Sequence, residues 1–173
     1  METIINTIID LFSGLKDIEF GKEILVFIIS ILPILELRGG LIAASLLKVS
    51  PIPAYIISIL GNILPVPFIL LFINKILDIM GNSKIKWMNK FANWLETKAN
   101  KNKGQIEKYG YIGLLLFVGI PVPGTGAWTG CLVSSALKLN KKKSFLAILG
   151  GIIMASIIMM IISYGIIDNI VYS

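Results

Sequence analysis

Residues 24–47 read ILVFIISILPILELRGGLIAASLL. The stretch is apolar enough to cross a bilayer, whose hydrocarbon core of about 30 Å takes about 20 residues of helix. Yet its centre holds Pro33, Glu36, Arg38, Gly39 and Gly40. Proline removes a backbone donor and glycine is a poor helix former. The stretch therefore reads as two half-helices joined by an irregular tip. The first, residues 24–35, is 12 residues long, about 18 Å at 1.5 Å per residue. That reaches just past the bilayer midplane. The return, residues 39–47, is shorter still. A re-entrant hairpin fits: in, turn at the midplane, and out on the same side. Irregular backbone at that depth requires burial in protein or a wet cavity.

Three more stretches carry no charge: residues 49–74, 109–137 and 144–167. The second of these is broken like the first hairpin, at Pro121-Val122-Pro123-Gly124-Thr125-Gly126. In residues 49–74, Pro51 and Pro53 suit a helix start, and Pro65 with Pro67 predicts a kink. The whole chain of 173 residues is 55% hydrophobic and 15% charged, with mean hydropathy +0.84. Soluble domains carry about 25% charge, so a water-soluble globule is excluded. The chain has no histidine, which excludes a His-liganded metal site, a Ser-His-Asp triad and an imidazole proton relay. One cysteine, Cys131, excludes an intrachain disulfide. No cofactor is expected. Nor is an enzyme, because no nucleophile–base spacing is present.

The net charge of +6 points to loop asymmetry across a bilayer rather than to nucleic acid. If both hairpins re-enter, the N-terminal arm, Lys48 and Asp168 share one side with a sum of −3. The central linker and the lysines of residues 138–143 share the other, with +9. If all four stretches span, the two basic segments fall on opposite faces. The positive-inside rule therefore favours re-entrant hairpins in the plasma (inner) membrane, termini outside and basic linker cytoplasmic.

Shifting the chain by 90 residues aligns Leu25 with Leu115, Phe27 with Phe117, Pro33 with Pro123 and Gly40 with Gly130. Further on, Ser45 meets Ser135, Lys48 meets Lys138, Gly61 meets Gly151 and Ile63 meets Ile153. Each copy is a hairpin plus one crossing helix, so the copies have opposite orientations. That is the inverted-repeat plan of secondary transporters, with a site at the midplane. The expected fold is an all-α integral membrane protein of one domain. It comprises an N-terminal interfacial helix (1–22), repeat one (23–80), a basic amphipathic linker (81–108) and repeat two (109–173). In the first helix, Ile4, Ile8, Leu11, Phe12 and Leu15 form the apolar face. In the linker, Trp87, Phe91, Trp94 and Leu95 form a stripe among lysines, suited to anionic lipid.

The chemistry gathers at the tips. Glu36 and Arg38 each cost roughly 2.5–3.5 kcal/mol at membrane depth on insertion scales. Arg38 is the sole arginine among 16 basic residues. Its planar fork suits carboxylate or phosphate. The plainer alternative is a Glu36–Arg38 network that only fixes the tip. At the second tip, Thr125 is a candidate N-cap, and Gly124 and Gly126 allow close backbone approach. Trp128 is a lid or a packing residue. Both returning half-helices bring positive dipole ends toward the midplane. The expected binding residues are Glu36, Arg38, Gly39, Gly40, Pro121, Pro123, Gly124, Thr125, Gly126 and Trp128. Ser45 and Ser135 line a polar path or ease helix packing. Cys131 reads as a small buried residue.

These two tips, Glu36-Leu37-Arg38-Gly39-Gly40 and Pro121 through Gly130, resemble those of the putative small multi-drug export protein family. The resemblance implies a membrane exporter and covers nearly the whole chain. More distantly the chain is similar to the DedA-type (VTT, SNARE-associated) membrane proteins, which implies lipid scrambling or translocation of polyprenyl phosphate. Three functions follow. The first is a small transporter or flippase that binds the anionic head group of an amphiphile, such as a lipid phosphate. The second is proton-coupled export of cationic drugs through Glu36, the one titratable group expected at depth. The third is a non-transporting membrane scaffold. Two spanning helices enclose little path, so a homodimer would supply the missing wall.

Overall fold

The computed structural model describes residues 2–11, 14, 20–81, 88–90, 93, 97, 109–122 and 124–166. Among them every regular element is helical. In order these are α1 (Glu2–Leu11), α2 (Gly21–Ile31), α3 (Glu36–Leu46), α4 (Pro51–Ile63), α5 (Pro65–Gly81), α6 (Tyr109–Gly119), α7 (Ala127–Ala136) and α8 (Lys141–Met160). A π-helical turn, Ile161–Ile166, follows α8. The chain divides into two compact units, residues 1–64 with 152–173, and residues 65–151.

Two helical stretches are long and apolar enough to cross a membrane: Pro51–Phe72, of 22 residues, and Lys141–Gly165, of 25. Their surfaces support that reading. Ile52, Ile56, Leu60, Leu64 and Phe68 recur at helical spacing and are all exposed, while Ala54, Ser58, Gly61 and Asn62 are buried. A helix in a soluble core hides its aliphatic stripe; this one displays it and turns polar groups inward. Pro51 opens α4 at its first position, where a missing N–H costs nothing. At the second proline pair, α4 ends with Ile63 and α5 begins with Pro65.

In the first unit α2, α3 and α4 pack on one another, and α1 and the π-helical turn pack against α3. The hairpin expected in residues 24–47 is α2 and α3, but its tip lies elsewhere. The turn is Leu32-Pro33-Ile34-Leu35, and Glu36, Arg38, Gly39 and Gly40 all lie within α3. The reason is packing. Leu35 N and Glu36 N both donate to Leu32 O, at 3.2 and 2.8 Å, and Gly39 N donates to Leu35 O at 2.8 Å. A Cβ on Gly40 would overlap Ser30 Oγ, and one on Gly61 would lie 2.8 Å from Phe27 O. These glycines let three helices touch, and that gain outweighs their weak helix propensity.

In the second unit α5 packs on α7. Gly130 of α7 faces Leu114, Val118 and Ile148, and a Cβ on Gly151 would lie 2.7 Å from Leu115 O. Here the irregular tip falls where expected, between α6 and α7.

Both hairpins end alike. Lys48 N donates to Ser45 O and Val49 N to Ala44 O; Lys138 N donates to Ser135 O and Leu139 N to Ser134 O. Lys48 and Lys138 have φ of 57° and 52°. Each set is a Schellman closure with lysine where glycine is usual. The two closures thus lie 90 residues apart, the spacing of the expected offset. The offset fails over the incoming arms, because Gly61 meets Phe27 O and Gly151 meets Leu115 O. The second tip is longer, so Leu25 does not match Leu115, nor Phe27 match Phe117. At the N-terminus, α1 buries Ile5 and leaves Ile4 half-exposed, so its packed face is not the stripe expected from Ile4. The side chains of Leu11, Phe12 and Leu15, and the linker stripe of Trp87, Phe91, Trp94 and Leu95, lie outside the described residues.

Candidate functional site

The first turns of α3 carry both charges expected at depth. Glu36 is 5% exposed and Arg38 7%, and the two interact electrostatically. Ideal helix geometry would point residues i and i+2 apart. Glu36 departs from it, with φ of 51°. That conformation costs an L-residue roughly 1–2 kcal/mol, and such strain persists only where surroundings impose it. Gly39 and Gly40 follow, both buried.

Sequence reasoning missed the polar residues beside this helix. Ser30 of α2 and Ser58 of α4 flank Gly40, with Ser58 Oγ 3.1 Å from the position of a Cβ there. Ser30 Oγ donates to Val26 O at 2.7 Å. Ser58 Oγ and both polar atoms of the Asn62 carboxamide are buried without a hydrogen-bond partner. Helices α3 and α4 are joined by a short turn and run antiparallel. With Gly40 level with Ser58, one turn further puts Glu36 level with Asn62. A carboxamide buried without a partner costs about 1–3 kcal/mol, so its retention calls for a reason. The signal was present as Ser and Asn at i, i+4 inside an uncharged stretch.

The second tip differs in kind. The N-cap of α7 is Gly126, not Thr125; the single Thr125 hydroxyl hydrogen is shared between Val122 O at 2.8 Å and Ile120 O at 3.0 Å, at the end of α6. Gly126 precedes α7 with φ of 139°, and Gly124 has φ of 87°, backbone that only glycine enters freely. A cavity of about 400 Å³ opens beside Thr125, lined by Tyr109, Leu116, Phe117, Ile120 and Val122. None of these carries a formal charge. Pro121 and Trp128 are half-buried, and Pro123 lies outside the described residues. Cys131 is fully buried, its Sγ 4.0 Å from Val66 O. Ser45 is buried and donates to Ser163 O at 3.0 Å, whereas Ser135 is half-buried.

Buried polar groups, outward aliphatic stripes and two spanning helices define a helical membrane protein. Residues 36–158 match the family described as "Putative small multi-drug export protein", and the chain belongs to that family. The match begins at Glu36, just after the first turn, and takes in α3 and the second tip. The family is described by export, not by an enzymatic reaction. No curated protein and no solved structure matches the chain significantly.

Proposed function

We propose that the protein moves an amphiphile across the plasma membrane and that Arg38 holds the anionic head group of its cargo. One observation carries this reading. The only arginine of a lysine-rich chain is 7% exposed, two residues from a buried carboxylate. A buried guanidinium is costly unless it is paired, and it has the geometry to grip a phosphate bidentately. In this reading Glu36 orients Arg38 in the empty state and gives it up, or takes a proton, when the head group arrives. Ser58 and Asn62 add neutral hydrogen-bonding capacity at the same level.

The reading includes α2–α3 and α6–α7 as re-entrant hairpins of an inverted repeat, with both termini outside. Three observations support it. Each arm of the first hairpin has 11 residues, or about 16 Å of helix, too short to cross. Two hairpins close through the same hydrogen bonds at a spacing of 90 residues. The charge split obeys the positive-inside rule only in this topology.

The test uses purified protein in neutral detergent, titrated with dodecyl phosphate and with dodecyltrimethylammonium. The expected result is saturable binding of the phosphate, weakened tenfold or more in Arg38→Lys, which keeps the charge and loses the fork. Normal binding by that variant overturns the proposal. Saturable binding of the ammonium amphiphile, abolished in Glu36→Gln, would favour export of cationic drugs. Glu36 is a buried carboxylate at the start of α3, which is what favours that second reading. Binding of neither amphiphile would favour a scaffold.

A further inference from the structure

The second unit carries its charges at the other end of its hairpin. Residues 138–143 read Lys-Leu-Asn-Lys-Lys-Lys, in and after the turn between α7 and α8. The turn is tightly built. Asn140 Oδ1 accepts from Lys142 N at 3.1 Å and Lys143 N at 3.2 Å, capping α8. Asn140 N donates to the Tyr111 hydroxyl at 3.1 Å, and Lys143 Nζ sits 5.9 Å from the centre of the Tyr111 ring. Lys143 leans toward α6, and all four lysines, Lys138, Lys141, Lys142 and Lys143, are exposed.

Two cavities open at these exposed lysines. One, of about 270 Å³, is lined by Ser134, Ser135, Lys138, Leu139, Lys141 and Leu70. The other, of about 360 Å³, runs between α5 and α8 along Pro67, Leu70, Leu71, Phe145 and Leu146, with Lys141 and Lys142 at its rim. Leu70 and Lys141 line both, so a polar, cationic chamber borders a nearly pure hydrocarbon groove. Lys141 Nζ, 3.5 Å from Leu71 O, stands at the border.

We propose that these two neighbouring cavities bind one anionic phospholipid, its phosphate between Lys138 and Lys141 and the start of one acyl chain in the α5–α8 groove. A free phosphate has no use for the groove, and a neutral lipid has none for the lysines. Lysines at the start of a spanning helix also sit at head-group depth. The matched positions of the first half are Lys48, Pro51 and Ile52, so the site belongs to the second unit alone. It does not rest on the proposed role of Arg38.

The experiment is native mass spectrometry of the purified full chain with dioleoylphosphatidylglycerol, dioleoylphosphatidylcholine and glycerol 3-phosphate. A basic residue near an anionic membrane surface is worth about fivefold in affinity. Lys138→Gln with Lys141→Gln should therefore weaken phosphatidylglycerol about 25-fold, with unchanged helicity. Leu71→Trp, which fills the groove, should weaken phosphatidylglycerol while leaving the lysines in place. Arg38→Lys should leave this binding unchanged, whatever it does to dodecyl phosphate. Equal retention of phosphatidylcholine, equal binding of glycerol 3-phosphate, or a double variant that binds like the parent would each overturn the proposal.

Discussion

The two hairpins share a backbone plan and differ in where they keep their polar groups. In the first, charge sits at the tip end, at Glu36 and Arg38. The neighbouring interior is Ser30, Ser58 and Asn62. In the second, the corresponding positions are Val118, Ile148 and Ile152, all buried. Its polar interior lies at the base, where Ser134 Oγ donates to Ser144 Oγ at 2.6 Å. The first half has Ala44 and Ala54 there, both fully buried. The frame itself therefore demands polarity at neither level. Aliphatic residues fill the tip end beside one hairpin and alanines the base beside the other. Polarity that packing does not require is the strongest reason to read Glu36, Arg38, Ser58 and Asn62 as functional.

The largest break in this comparison comes from the tip charges. Arg38→Ala strips Glu36 of its cationic neighbour in a buried setting, a loss of about 3–5 kcal/mol. Lys142→Ala, on an exposed surface, should stay within about 0.5 kcal/mol. Thermal unfolding in detergent compares the two, and an equal small effect would show that Arg38 is solvated.

The helix contacts should break symmetrically. Gly61→Ala and Gly151→Ala each push a methyl group to within 2.8 and 2.7 Å of a backbone carbonyl. Overpacking of this kind costs about 1–3 kcal/mol. Similar losses of thermal stability in both are expected. A large loss in only one would mean that the matched contacts are not equivalent.

The polar interiors should respond with opposite signs. Asn62→Leu removes two unpartnered atoms and should raise stability by about 1–3 kcal/mol while impairing binding of dodecyl phosphate. Ser134→Ala breaks a made hydrogen bond and should lower stability by about 1 kcal/mol. A destabilised Asn62→Leu variant would show that its carboxamide is already satisfied in the membrane.

The smallest difference lies at the helix starts. Asn140→Ala deletes a cap that two amides use, at about 1 kcal/mol. Ser50→Ala should change almost nothing, since Ser50 makes no side-chain cap bond before α4. Helicity melts of the two variants give the ranking.

Much of this was legible in the chain. The apolar stretches, the interruptions, the proline start of α4 and the lone arginine are one-dimensional signals. They follow from hydrogen-bond and solvation costs that act residue by residue. The returning helices kept their 90-residue spacing because their turns close by local hydrogen bonds. The placement of the first tip was not legible. Gly39 and Gly40 look like helix breakers in sequence, and only the contact of Gly40 with Ser30 and Ser58 shows it as part of a packing seam. Thr125 had the composition of a cap, and the tertiary path of the tip turned its hydroxyl back to α6. Asn62 looked like one polar residue in a spanning helix. Its level with Glu36 emerges only when α3 and α4 are laid antiparallel. Local chemistry thus determined which segments are helical and membrane-sized. Side-chain burial and helix register, which depend on residues far apart in the chain, decided which polar groups stand together.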